Sequence, residues 1–311
     1  MEQTPLVSIV IPAYNHARYL DEAIRSVLRQ DYPRVELLVL DDGSTDGTRA
    51  VLEKYGTAFH WETQPNMGQS ATLNKGWQRA RGEILGYLSA DDALMPDAVR
   101  ASVACLQEHP EAVLTYPDFN LINPDSQVMR EVQAPEYDYY QMVVEIVCPP
   151  GPGAFFRRRA FEAAGGWDVD LRQIPDYEFW LRLALQGPFR RIPRVLASFR
   201  AHEESQSFAR SDERKAEEPR RVLAAYLARP DVPAAVAQAR RQALGQAHLL
   251  TARLHWRAGR LLVALYRLAQ ALALAPGLLL RKRTLLLAYD SIVARTLHRI
   301  AWRLNWRRGA K

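Results

Sequence analysis

The chain predicts an α/β fold, a mixed Rossmann-like sheet flanked by helices, followed by an all-α C-terminal region. Three observations carry this. Through the first 110 residues, short β-rich apolar runs alternate with segments whose apolar residues recur at helical spacing. Two of those runs end directly in acidic clusters, Asp41-Asp42-Gly43-Ser44 and Asp91-Asp92. From residue 212 onward Ala, Leu and Arg dominate, with Pro230, Pro233 and Pro276 as punctuation.

Val7 to Ile11 is the first strand, and Leu20, Ala23, Ile24, Val27 and Leu28 follow at helical spacing after Asn15, a candidate cap. Val35 to Leu40 completes a βαβ beginning. The polar loop from Gly43 to Gly47 leads to a helix over 48–54 and a short strand over 59–62. A helix over 70–81, a strand over 83–89 and a helix over 96–109 come next, with Pro96 near a helix start, where proline is tolerated. From Ala112 the pattern shifts to strands and longer loops: 113–116, 119–122 with a Pro124-Asp125 turn, and 153–156. Gly165-Gly166 stops a short helix, 177–185 is helical, and 195–199 is the last strand. The predicted domain therefore spans residues 1–210, and a basic helical region spans 211–311. Within that region Gly259, Ala264, Ala271, Leu272 and Pro276 loosely resemble the second half of a tetratricopeptide-like helix pair, but one copy makes no solenoid.

Composition narrows the class. With 311 residues and 48% hydrophobic content the chain is globular. Cys105 and Cys148 lie far apart without metal-ligand spacing, which argues against a disulfide framework or a zinc site and for a reducing, cytoplasmic setting. The apolar run from Leu6 to Ile11 follows Glu2 rather than a basic region, so no signal peptide is expected. The net charge of +6 is uneven: residues 222–311 hold 16 Lys or Arg against Asp231 and Asp290, or +14, leaving 25 basic and 33 acidic residues, or −8, in 1–221. An acidic part that binds a phosphate-bearing ligand needs a divalent cation between like charges, whereas a basic tail favours an anionic surface.

Carboxylates clustered past strand ends suit that requirement, because the crevice beyond the carboxyl ends of strands is where open α/β sheets bind ligands. Singly, Asp-Gly-Ser is a turn signal, Asp46 a helix cap and Asp91-Asp92 a solvated loop. The strand-loop-carboxylate pattern occurring twice in one half favours a nucleotide-metal site.

The segment from Val7 to Asn15, the Asp41-Asp42-Gly43-Ser44 loop, Asn66-Met67-Gly68 with Asn74-Lys75-Gly76, and Ser89-Ala90-Asp91-Asp92 resemble, in order and spacing, family 2 glycosyltransferases over roughly residues 5–205. The resemblance implies a GT-A fold and inverting transfer of a sugar from a nucleoside diphosphate donor, with Mn²⁺ or Mg²⁺. It makes 5–110 the nucleotide-sugar and metal half and 111–210 the acceptor half. Asp92 is the expected metal ligand, Asp91 the contact to donor ribose or sugar, and Asp42 the contact to the nucleobase, with Pro12 and Tyr14 beside the base and Asn74 among the donor residues. Ser89 replaces the usual first acidic residue of its motif. His202, in Arg200-Ala201-His202 ahead of Ser205 and Ser207, resembles a late motif that completes the metal shell or contacts pyrophosphate; the plainer reading is a structural histidine. Gly165-Gly166-Trp167-Asp168 also matches the family and reads as a helix stop with a packed tryptophan.

Inverting transfer needs a base for the acceptor hydroxyl. Asp176, before the predicted helix in Pro175-Asp176-Tyr177-Glu178-Phe179-Trp180, resembles the family's base, and Glu178 is its backup. The helix dipole lowers the pKa of such a carboxylate while apolar neighbours raise it. In the tail, Ile292, Val293, Leu297, Ile300, Ala301 and Leu304 form an apolar stripe beside Arg295, Arg299, Arg303 and Arg307, a basic amphipathic helix suited to the inner face of the cell membrane or to packing on the catalytic domain. Leu261 to Leu280 is too interrupted to span a membrane. No nucleic-acid module accompanies the charge.

The expected enzyme transfers a sugar, with UDP as the carrier, to a glycan or lipid-linked acceptor in cell-surface polysaccharide or glycolipid assembly. The alternatives are a non-catalytic nucleotide-sugar sensor or scaffold and a sugar-phosphate nucleotidyltransferase. The latter requires a Gly-rich phosphate loop where this chain has Pro12-Ala13-Tyr14-Asn15-His16.

Overall fold

The computed structural model describes residues 4–202 and 211–280. Ser205, Ser207 and the expected amphipathic helix around 292–307 lie outside the described residues. Those before residue 143 together with 147–202 form one compact unit, and 143–146 with 211–280 form another.

The first unit is built on one mixed sheet. Strands β1 (Val7–Ala13), β2 (Val35–Asp41), β3 (His60–Thr63) and β4 (Ile84–Tyr87) are parallel, in the order β3-β2-β1-β4. Their register runs from Val7 opposite both Val35 and Ile84, so β1, β2 and β4 deliver their carboxyl ends to the same edge. All seven β1 residues are buried, as expected of a parallel strand covered on both faces. Helix α1 (Leu20–Leu28) covers one face with Leu20, Ala23, Ile24 and Val27, which join Val7, Ile9 and Ile11 in the main apolar core. Helix α2 (Thr48–Glu53) follows β2, and α3 (Gln69–Arg79) lies on the other face, where a Cβ on Gly76 would stand 2.4 Å from Val10 Cγ1. Trp77 of α3 is fully buried and donates to the Gly86 carbonyl at 3.1 Å.

Beyond β4 come the short β5 (Ala93–Leu94), α4 (Ala98–Glu108), β6 (Leu114–Ile122), β7 (Val128–Val132), α5 (Tyr139–Val144), β8 (Phe155–Arg157), α6 (Arg158–Ala164), α7 (Pro175–Leu183) and β9 (Phe189–Arg200). The sheet continues from β4 as β8-β6-β9-β5, with β7 on β6; β8 runs antiparallel to its neighbours and β6 parallel to β9. Phe156, Phe161, Trp167 and Phe179 pack around Trp77 with ring centroids 5.4–5.9 Å away.

Two expectations change, and one strand was not foreseen. The two strands expected at 113–116 and 119–122 are one strand, β6, passing through Pro117. Proline cannot donate to the ladder, and the register against β9 shifts on both sides of Asp118 to absorb this. Asn15 does not cap a helix: it sits at φ 56°, its Oδ1 accepts from Thr45 N–H at 2.8 Å, and α1 starts at Leu20. Strand β7 has no apolar alternation because it is an exposed edge.

In the second unit α8 (Glu213–Ala216), α9 (Glu218–Tyr226), α10 (Ala234–Gln238), α11 (Arg240–Arg257) and α12 (Leu261–Leu274) precede a 3-10 turn at Pro276–Leu280. Glu217 ties them together, accepting from Arg220 Nε at 3.0 Å and Arg267 Nε at 2.9 Å and bonding the buried His255 Nε2 at 3.0 Å. Burial alone would raise this carboxyl, but the three cationic or ring donors hold it below its usual range. Among the described residues no helix is long and apolar enough to cross a membrane.

Candidate active site

The site forms where the chain leaves β1, β2, β4 and β9. Loops after β1 and β2 are fastened to each other: Asn15 N–H donates to Ser44 Oγ (2.9 Å), His16 N–H to Thr48 Oγ1 (2.9 Å) and Ala17 N–H to Asp46 Oδ2 (3.0 Å). Pro12 is buried in β1 opposite Leu40, and Tyr14, just past the strand, is 46% exposed.

Asp42 is buried, and both of its oxygens are engaged. Oδ1 accepts from Gln64 Nε2 and Met67 N–H, each at 2.9 Å, and Oδ2 accepts from Gly68 N–H at 2.8 Å. The carboxylate thus shapes the 66–68 loop. Gly68 is favoured there by its φ of 86°, which side-chain-bearing residues rarely adopt. Asp41, wholly buried, uses Oδ1 to hold Ser44 N–H at 3.0 Å, while its Oδ2 has no hydrogen-bond partner among the described residues.

The two residues of the Asp91-Asp92 pair are separated by their partners. Asp92 is 3% exposed and its Oδ1 accepts the Arg200 N–H at 2.9 Å. Burial, then the neighbouring Asp91 charge, push its carboxyl well above the usual range. Asp91 instead presents Oδ2 to His202 Nε2 at 2.9 Å and to His16 Nε2 at 3.9 Å. These three ligand atoms lie within 4.8 Å of one another. The imidazoles converge on Asp91, while Asp92, the expected metal ligand, gives one carboxylate oxygen to the backbone at the end of β9. Arg200, wholly buried, locks the arrangement through Nε to the Asp91 carbonyl (2.8 Å) and Nη2 to Glu22 (2.7 Å), with its guanidinium 4.8 Å over the Tyr19 ring.

A carboxylate oxygen with two imidazole nitrogens is a sound donor set for a divalent cation. Ligand atoms that share one ion at about 2.1 Å stand roughly 3 to 4 Å apart, and Asp91 Oδ2 lies 2.9 Å from His202 Nε2 and 3.9 Å from His16 Nε2.

Asp176 occupies the first turn of α7 behind Pro175. Burial raises its carboxyl, against the lowering effect of the Tyr177 N–H, which donates to Oδ1 at 2.8 Å, and of its own N–H. Tyr87 is pushed well up first by burial and then by the charges of Asp176 and Asp92. Trp167, 5.2 Å from the Tyr87 ring, has a buried indole N–H with no partner among the described residues. Glu178 is committed to a pair with Arg182 at 2.6 Å and is no spare base.

Asn74, expected among the donor residues, is engaged with the backbone of another loop. Its carboxamide exchanges two 2.8 Å bonds with the Trp167 backbone, so it fastens α3 to the 165–168 loop. Sequence reasoning missed His16, Arg200, Gln64 and the Asp41 orphan oxygen. His16 directly follows the Pro12–Asn15 segment, but a lone histidine carries no spacing signal.

This topology and this site define an α/β protein of the GT-A fold with a carboxylate-imidazole centre at its strand ends. Residues 8–165, about half of the chain, match glycosyl transferase family 2, and the chain belongs to that family. It is 30% identical over 208 residues to an uncharacterized glycosyltransferase of Rickettsia typhi, covering 64% of this chain and 65% of that one. It is 28% identical over 222 residues to a chondroitin synthase of Escherichia coli, covering 69% of this chain but 32% of the synthase. The chain thus spans a little under two thirds of the first relative and about a third of the second. Among solved structures it is similar to S. aureus TarS 1-349 in complex with UDP-GlcNAc (TM-score 0.64, 18% identity, 88% of this chain and 91% of that one). It is also similar to the mannosyltransferase PcManGT of Pyrobaculum calidifontis in complex with GDP-Man and Mn²⁺ (TM-score 0.62, 20% identity, 96% and 88%). At these identities the likeness is one of fold.

Proposed function

We propose that the chain is an inverting glycosyltransferase that moves a sugar from a nucleoside diphosphate-sugar, with uridine as the base, to an acceptor hydroxyl in cell-surface polysaccharide or glycolipid assembly. The carrying observation is that Asp91 and His202 meet at 2.9 Å beyond the ends of β4 and β9, while the buried Asp176 carboxyl, raised above its usual range, acts together with Asp92 on Tyr87. UDP-GlcNAc in TarS supports uridine, GDP-Man with Mn²⁺ in the mannosyltransferase supports a divalent ion, and the chondroitin synthase supports polysaccharide assembly.

Asp91 and His202 would hold the cation, whose charge would stabilise the diphosphate as it leaves. Asp42, through the 66–68 loop, shapes the base pocket alongside Pro12 and Tyr14. Asp176 takes the acceptor proton as the acceptor oxygen bonds to the anomeric carbon. The bond from that carbon to the phosphate oxygen breaks with its electron pair going to the diphosphate. Burial makes Asp176 a stronger base than an exposed aspartate. The half from residue 111 to 210 binds the acceptor, and the basic tail brings the protein to the inner face of the membrane, where a lipid-linked acceptor is presented.

Asp176→Asn tests this reading. The variant should keep the thermal shift that UDP with Mn²⁺ gives the parent chain while losing turnover of UDP-sugars by about 10²–10⁴-fold. Full turnover by the variant, or no parent turnover with any nucleotide sugar, would overturn it in favour of a binding protein.

A further inference from the structure

We propose that His16 is a third metal ligand beside Asp91 and His202, and that the resulting two-nitrogen, one-oxygen set selects a divalent transition-metal ion over Mg²⁺ and holds it before any nucleotide arrives. The inference rests on the cation site assigned to Asp91 above and concerns what that site admits. Its first support is the tautomer of His16. Nδ1 lies 2.7 Å from the Tyr14 carbonyl oxygen, which can only accept, so the ring proton sits on Nδ1 and the lone pair is on Nε2. Metal-bound histidines are oriented in this way, by giving the other ring N–H to a backbone carbonyl. Nε2 faces Asp91 Oδ2 at 3.9 Å, too far for a hydrogen bond, and it makes no hydrogen bond among the described residues. A nitrogen with an exposed lone pair, aimed at a carboxylate it does not touch, is arranged for an ion between them.

The second support is rigidity. His16 N–H is held by Thr48 Oγ1, and its neighbours Asn15 and Ala17 are held by Ser44, Thr45 and Asp46. On the opposite side His202 packs 5.1 Å from Tyr19 and its Nε2 donates to Asp91 Oδ2 at 2.9 Å; a cation bound there replaces that proton, which is released to solvent. The imidazole rings come from different loops and cross at 84° with centroids 6.5 Å apart, leaving the carboxylate between them. The third support is ligand chemistry. Mg²⁺ takes oxygen ligands, keeps several waters and binds through one or two carboxylates plus substrate phosphates, whereas imidazole suits transition metals. Three protein ligands need no phosphate to complete a stable shell.

Co²⁺ titrated into the full chain without nucleotide, followed by its visible absorption and by calorimetry, reads this directly. The parent chain should bind one Co²⁺, and a hundredfold excess of Mg²⁺ should not displace it. His16→Ala should weaken binding by at least about tenfold, and Asp91→Ala should abolish it. Should the alanine variant of His16 not fold, the parent chain still answers: bound Co²⁺ must shift the exchangeable N–H signals of two imidazoles, and one shifted signal overturns the proposal. Equal affinity in the parent and His16→Ala, with loss in Asp91→Ala, removes His16 and leaves the cation site standing. Co²⁺ binding that needs UDP, or displacement by Mg²⁺, overturns the selectivity and early binding proposed here and leaves the cation site standing. Co²⁺ binding untouched by Asp91→Ala overturns both.

Discussion

Asp176 carries the clearest consequence at the scale of single residues. Its position in the first turn of α7 would lower its pKa, but burial outweighs the backbone N–H bonds and raises it. A base works only when ionised, so turnover should fall as pH drops through that raised value, on an acid limb above the ordinary aspartate value of about 3.9. The pH dependence of kcat at saturating donor and metal measures it; activity that stays flat from about pH 8 to pH 4 would contradict a buried base. The sequence made Asp176 legible through its Pro-Asp-aromatic context. The division between Asp91 and Asp92 was not legible, since two adjacent aspartates have the same local signals. Their difference comes from the Arg200 N–H, 108 residues from Asp92, which takes up one carboxylate oxygen and leaves the other residue to the imidazoles.

Among the elements, α3 shows how close packing fixes a site. The helix lies on β1 and β2 with Gly76 against Val10 and Leu40, and its far side holds the Trp167 backbone through Asn74. A methyl at residue 76 would meet Val10 Cγ1 at 2.4 Å and Leu40 Cδ1 at 3.2 Å, so helix or strand must shift. Gly76→Ala should therefore cost about 1–3 kcal/mol in stability, although alanine favours helix. The urea midpoint gives the measurement, and an unchanged or raised midpoint would show that the contact relaxes freely. The helix itself was readable from its periodicity over 70–81, close to the observed Gln69–Arg79. Strand β9 was read short, as 195–199, because Arg190, Arg191 and Arg194 interrupt the apolar run; pairing with β6 extends it back to Phe189. Where local propensity is weak, a neighbouring strand supplies the missing specification.

For the whole molecule the uneven charge, −8 over residues 1–221 and +14 over 222–311, makes a prediction independent of the catalytic chemistry. The full chain should sediment with vesicles containing anionic lipid and not with neutral ones. Binding should be lost by about 0.5 M salt, where screening falls to a few ångströms. Equal binding to neutral vesicles, or none to anionic ones, would remove the membrane from the proposal.

By itself the sequence determined the main strands and helices through α4, the acidic clusters beyond β2 and β4, and the chemical types at the site, because apolar periodicity and turn residues act over a few positions. Only the tertiary structure decided that His16, Asp91 and His202 come within 4.8 Å of one another, that Asp42 and Asn74 bond the backbone of other loops, and that Asp92 is buried against the end of β9. Those outcomes depend on parallel strands aligning their ends and on side chains meeting across more than a hundred residues, and such contacts leave no mark in any local stretch of chain.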